Sequence, residues 1–178
     1  MNYQSITYPD VNNGLGCRVT LWVSGCPHHC KGCHNQHTWD PDSGNEFTAE
    51  TKQQLIDILK LPYIKGLTIS GGEPLALYNL SKVSKLIEEF KILFPKKDIW
   101  LYTGYTIEKL NNPNVDMKRL SYLYTIFENV DYIVEGPYID KLRDITLPFR
   151  GSSNQRIFQV CKTTCHELKF KQVLNECT

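Results

Sequence analysis

The sequence predicts an α/β fold of parallel βαβ units, arranged as an open, partial barrel. Three observations carry this expectation. Strand-like runs alternate with helical ones along the chain. The loops leaving the strand ends are rich in Gly or Cys, at the edge where parallel α/β folds bind ligands. And 178 residues fall short of the roughly 250 of a closed eight-fold barrel.

The elements follow in order. Arg18 to Ser24 is a strand, rich in β-branched and aromatic residues. A loop of Cys, His and Gly follows it. Thr48 to Lys60 reads as a helix with Leu55, Ile56, Ile58 and Leu59 clustered, stopped by Pro62. Gly66 to Ser70 is a short buried strand ended by Gly71-Gly72. Leu80, Val83, Leu86, Ile87, Phe90 and Leu93 recur at helical spacing before Pro95. Asp98 to Tyr102 is a third strand, closed by Gly104. Residues 105–128 are helical in two pieces, broken near Pro113. Tyr132 to Glu135 is a fourth strand, ended by Gly136-Pro137. After a loop through Arg150-Gly151-Ser152-Ser153, Arg156 to Val160 is a further strand. Residues 1–160 form the expected domain. Residues 161–178 are a tail, frayed by default.

Composition excludes several function classes. Hydrophobic residues make up 41% and charged residues 22%, as in a globular protein and unlike a disordered one. Lys+Arg total 20 and Asp+Glu 19; no charge block offers nucleic acid an electrostatic footprint. No apolar run approaches the roughly 20 residues of a membrane span. The start lacks a basic region followed by an apolar stretch, so a cytoplasmic address is expected.

Seven cysteines are an uneven number, which suits a disulfide framework poorly. Three of them form Cys26-Pro27-His28-His29-Cys30-Lys31-Gly32-Cys33, directly after the first predicted strand. Three thiolates can hold three irons of a 4Fe-4S cluster and leave the fourth iron open for chemistry. The alternative is a Cys3His zinc module, with His28, His29, His34 or His37 as fourth ligand. Cys161-Lys162-Thr163-Thr164-Cys165-His166 would then supply a second half.

The Cys26–Cys33 loop resembles the signature of the radical S-adenosylmethionine (SAM) enzymes. Three further stretches narrow the resemblance: Val11 to Arg18, Gly32-Cys33-His34-Asn35, and Phe149 to Arg156. Together with the small size they look like the glycyl-radical-enzyme activases that act on anaerobic ribonucleoside-triphosphate reductase. The likeness runs from about residue 1 to residue 158.

That resemblance implies a fold, a cofactor set and a partner. The fold is a partial (βα) barrel of the radical SAM type, with the cluster at the C-terminal edge of its strands. Cys26, Cys30 and Cys33 would hold a 4Fe-4S cluster that donates one electron to SAM. The resulting 5′-deoxyadenosyl radical would take hydrogen from a glycine of the reductase large subunit. Reduced flavodoxin is the family's usual electron donor. Gly71-Gly72-Glu73-Pro74 matches the family's SAM motif, and Gly32, Cys33 and His34 sit where the family lines SAM. His34 stands where the family usually has a tyrosine, and it keeps a flat ring. A competing enzyme reading is a radical SAM enzyme acting on a small molecule, which needs pocket insertions that this short chain lacks.

Blander readings stand beside several of these residues. Glu73 reaches SAM or only caps the next helix. Tyr102, Thr103 and Glu135, at strand ends, touch SAM or belong to the core and turns. Asn35 caps a turn or bonds near the cluster. Arg150 and Arg156 engage the partner or the SAM carboxylate, or flank a turn built by Gly151 to Asn154. Trp22, Trp39 and Trp100 are packing residues, and Cys17 is a buried thiol. Cys161, Cys165 and Cys177 bind a metal or belong to the reduced tail.

Overall fold

A computed structural model of the chain describes residues 1–110, 116–162 and 168–173. Eight strands make one sheet: β1 (Asn2–Asp10), β2 (Arg18–Val23), β3 (Asn45–Glu46), β4 (Gly66–Gly71), β5 (Asp98–Thr103), β6 (Tyr132–Glu135), β7 (Arg156–Lys162) and β8 (Leu168–Gln172). Four helices accompany them: α1 (Ala49–Leu59), α2 (Leu77–Leu93), α3 (Ile107–Leu110) and α4 (Met117–Asn129). The spatial order is β3-β1-β2-β4-β5-β6-β7-β8.

This is a mixed α/β fold, and the all-parallel expectation needs correction. Only β2, β4, β5 and β6 run parallel. β1, β3, β7 and β8 add to the two edges antiparallel. Connection chemistry is the reason. A parallel neighbour needs a long crossover, usually a helix. Residues 11–17 are too few for one, and residues 136–155 carry only a 3-10 turn at Asp140–Leu142, so both returns are antiparallel. The order of strands is that of an open sheet; a radical SAM barrel is not established by it.

The expected strands and the two long helices all occur. Thr48 caps α1 by accepting the Thr51 N–H at 3.3 Å. Asp116 does the same for α4 from Arg119 N–H, also at 3.3 Å. Pro113 lies outside the described residues. The sheet continues past residue 160, where β7 pairs with β8.

Alternation along each strand sorts the two faces. Val19, Leu21, Val23, Leu67, Ile69, Ile99, Leu101 and Ile133 pack against α1, α2 and α4 in the main core. The other face is polar and aromatic. There Trp100, Val134 and Ile157 meet Leu15 and Phe149.

Arg18 is fully buried on that second face. Its guanidinium bonds Thr68 Oγ1 at 2.8 Å, the Leu67 carbonyl at 2.8 Å and Asp98 Oδ1 at 2.5 Å. It also lies 5.7 Å from the centre of the Trp100 ring. Arg18→Ala is expected to cost about 3 kcal/mol or more, because it strands Asp98 and leaves a cavity beside Trp100. Urea unfolding of the iron-free chain measures this. A cost below about 1 kcal/mol would show that solvent compensates Asp98.

Candidate functional site

The central strands point their C-terminal ends at one edge, and the cysteine loop leaves β2 there. Backbone bonds pin its base. Gly25 N–H donates to the Thr38 carbonyl at 2.6 Å and Cys26 N–H to the Trp39 carbonyl at 3.0 Å. The loop between is therefore closed at its neck. Left-handed backbone at His29 (φ 46°) and Gly32 (φ 73°) turns the chain between the thiols. Cys33 N–H donates to the Cys30 carbonyl at 3.0 Å.

Cys26 is buried, and Cys30 and Cys33 are half-buried. All three are free thiols. Burial pushes the Cys26 thiol up to about 11, with the negative charges of Glu73 and Cys30 adding to it; backbone N–H groups of His28 and His29 oppose the shift. Burial raises Cys30 as well, with Cys33 and Glu73 adding and a backbone hydrogen bond from Tyr138 opposing. The Asn35 N–H donates to Cys33 Sγ at 3.4 Å. Such a loop disfavours bare thiolates, and a bound cation would supply the compensating charge.

Among the described residues, no group of three or more His, Cys, Asp or Glu is arranged to hold one metal ion. Three thiols spread along one loop suit a cluster, in which each thiolate binds a different iron. Two of the four candidate histidines have other partners. His28 Nε2 lies 2.7 Å from Glu73 Oε2, and His29 stacks on Trp39 at 4.6 Å. Cys165 and Cys177 lie outside the described residues.

Gly32, Cys33, His34 and Asn35 form one wall of a cleft of about 570 Å³. Tyr138, Asp140, Arg143 and Arg150 face them. A Cβ on Gly32 would sit 2.6 Å from Asp140 Oδ1, so this wall approaches the loop as closely as glycine allows. The Arg150–Gln155 stretch braces that wall. Gln155 Oε1 accepts Gly151 N–H at 2.9 Å, and Gln155 Nε2 donates to the Gly136 carbonyl at 3.1 Å. Asn154 Nδ2 donates to the Pro137 carbonyl at 2.8 Å.

The second set of expected SAM residues lies below the loop and does not line this cleft. Gly72 N–H donates to the Val23 carbonyl at 2.8 Å and Glu73 N–H to the Gly25 carbonyl at 2.7 Å. Glu73 is fully buried, and its carboxylate is saturated by the protein. Oε1 accepts Leu75 N–H at 2.9 Å and Thr103 Oγ1 at 2.8 Å; Oε2 accepts Gly104 N–H at 2.8 Å and meets His28.

The remaining expected residues divide. Arg150 joins Cys33 and His34 in the cleft. Arg156 does not: it pairs with Glu135 and, at 2.8 Å, with both oxygens of Glu108. Glu135 also accepts the Ile107 N–H at 2.9 Å, so it ties β6 to α3. Asn35 opens the 3-10 turn at Gln36–Thr38 through its carbonyl, which accepts the Thr38 N–H at 2.9 Å, while its side chain makes no capping bond. Tyr102 has a buried hydroxyl with no partner among the described residues, and burial pushes its ionisation far up. Sequence reasoning missed Tyr138, Asp140 and Arg143. No spacing signal links them to the cysteines, because the fold alone brings them together.

Residues 12–158 match the family model of a 4Fe-4S single cluster domain. The chain is 44% identical over 158 residues to the anaerobic ribonucleoside-triphosphate reductase-activating protein of Enterobacteria phage T4, covering 89% of this chain and 94% of that one. It is 43% identical to the protein of that name from Vibrio cholerae, over 88% and 97% of the two chains. With the Escherichia coli K12 protein of that name the identity is 39%, over 87% and 96%. No helix among the described residues is long and apolar enough to cross a membrane. With its three-thiol loop at the sheet edge, this chain belongs to the family of anaerobic ribonucleoside-triphosphate reductase-activating proteins and carries their 4Fe-4S domain.

Proposed function

We propose that the chain activates anaerobic ribonucleoside-triphosphate reductase by installing a glycyl radical on its large subunit. The three-thiol loop at the C-terminal edge of the parallel strands carries this reading, in a chain whose relatives bear that activating name over almost their full length. Cys26, Cys30 and Cys33 hold the cluster through their thiolates. When bound, the cluster supplies the electron that splits SAM into methionine and the 5′-deoxyadenosyl radical that takes the glycine hydrogen. An electron donor such as reduced flavodoxin feeds it.

The chain's own residues bind and orient. Gly32, Cys33 and His34 offer SAM a wall open to the cleft. Gly71 and Gly72 hold the edge of β4 against the loop's base, and Glu73 fixes both to the end of β5. In this reading the sheet is the partial barrel of the radical SAM type. Residues 1–160 carry the chemistry, and β8 beyond them extends the edge of the sheet. The protein works in the cytoplasm without contact to nucleic acid or membrane.

Electron paramagnetic resonance tests the reading. The reductase, incubated anaerobically with this chain, SAM and a reductant, should acquire an organic radical on glycine. A cluster-loaded protein that cleaves SAM and leaves no such radical defeats it.

An open cleft gives a reactive radical little shelter from solvent, so the reductase's own glycine loop serves as the lid. Arg150, beside Cys33 and His34, is placed to receive that loop; Arg156, held by two carboxylates, is not. Arg150→Ala is therefore expected to raise about tenfold the reductase concentration needed for half-maximal radical yield, the scale of one lost charged hydrogen bond. A titration of radical yield against reductase measures it. An unchanged midpoint removes Arg150 from the interface.

A further inference from the structure

We propose that the buried Glu73–His28 pair sets the reduction potential of the cluster, with Glu73 acting on the iron centre through charge rather than on SAM through contact. This rests on the reading that Cys26, Cys30 and Cys33 hold a 4Fe-4S cluster.

The sequence places Glu73 beside two glycines, where it reaches SAM or caps the next helix. The fold buries it completely. Four protein donors surround its carboxylate: two backbone N–H groups, the Thr103 hydroxyl and the His28 ring. Four such contacts leave no lone pair of the carboxylate over for a ligand. His28 is the only one of the four that comes from the cysteine loop itself. It stands between Cys26 and Cys30 in sequence, and it packs edge-on against Tyr105 at 4.5 Å. Gly104 leaves the space that its ring fills.

Position gives the pair its electrical reach. The backbone of Glu73 is bonded to Gly25, the residue before Cys26. Its carboxylate meets the cysteine loop a second time through His28, which stands between Cys26 and Cys30. A fixed negative charge behind thiolate ligands opposes the arrival of an electron, and a donor hydrogen-bonded to that charge relieves it. Glu73 thus lowers the potential, and His28 limits how far.

Anaerobic redox titration followed by electron paramagnetic resonance tests this on the reconstituted full chain. His28→Leu removes the donor and should move the midpoint potential to more negative values. His28→Gln keeps an N–H donor and should restore it. Glu73→Gln removes the charge and should move the potential the other way. In the Glu73→Gln background, His28→Leu should have no further effect. An unchanged potential in an iron-loaded His28→Leu or Glu73→Gln protein overturns the proposal. So does loss of iron from both variants, since the pair would then only hold the loop in place. A wild-type chain that assembles no 4Fe-4S cluster would instead overturn the proposed function.

Discussion

Cys30→Ala is expected to abolish SAM cleavage and to strip most of the iron from the protein. In the proposed site each thiolate of the loop binds its own iron, so no neighbour can stand in. Of the nearby histidines, His28 is engaged by Glu73 and His29 by Trp39. Cys30 also lies near the backbone of Tyr138, which belongs to the opposite wall of the cleft. Iron content, visible absorption and the yield of 5′-deoxyadenosine measure the effect. Cys17→Ala is the control: Cys17 is packed at the edge of the main core and touches none of this. Full iron loading and cleavage in the Cys30→Ala protein would end the radical reading.

Parts of this architecture are legible in the sequence because burial writes a simple pattern. β2, β4 and β5 are covered on both faces and read as compact apolar or β-branched runs. The apolar stripes of α1 and α2 read as helices for the same reason. β1 is half-exposed and mostly polar on both faces, so no periodicity announces it. β3 has only two residues. Strand direction is not written in the residues at all; it follows from how much chain separates two strands.

The site divides likewise. The cysteines announce themselves because the cluster ligation proposed for them calls for one residue type at close spacing. Glu73 does not disclose its role, since its partners His28 and Thr103 lie 45 and 30 residues away. Arg156 misleads in the same way. In sequence it flanks a polar turn and is a candidate for the partner or SAM; in the fold it is clamped between Glu108 and Glu135.

Gly72→Val is expected to cost the protein its cluster as well as its SAM, although the sequence suggests a glycine kept clear for ligand alone. A Cβ at position 72 would collide with the Gly25 carbonyl, whose carbon lies 2.8 Å from that point. The obstacle is backbone, so no rotamer change relieves it. Gly25 cannot retreat either. Its N–H is bonded to Thr38, its carbonyl receives Glu73 N–H, and its own φ of 89° leaves no easy alternative. The neck of the cysteine loop must therefore shift, and Cys26 is the next residue along. The overpacking should cost about 3 kcal/mol, and the displaced thiolate should lower the iron bound per chain. Gly72→Ala should show the same two losses to a smaller degree, because the clash begins at the Cβ. Iron content, urea unfolding of the iron-free chain and SAM binding, measured on both variants, distinguish the two roles. A Gly72→Val protein that is stable and fully iron-loaded, with only its SAM affinity reduced, would assign this glycine to the ligand and not to the loop.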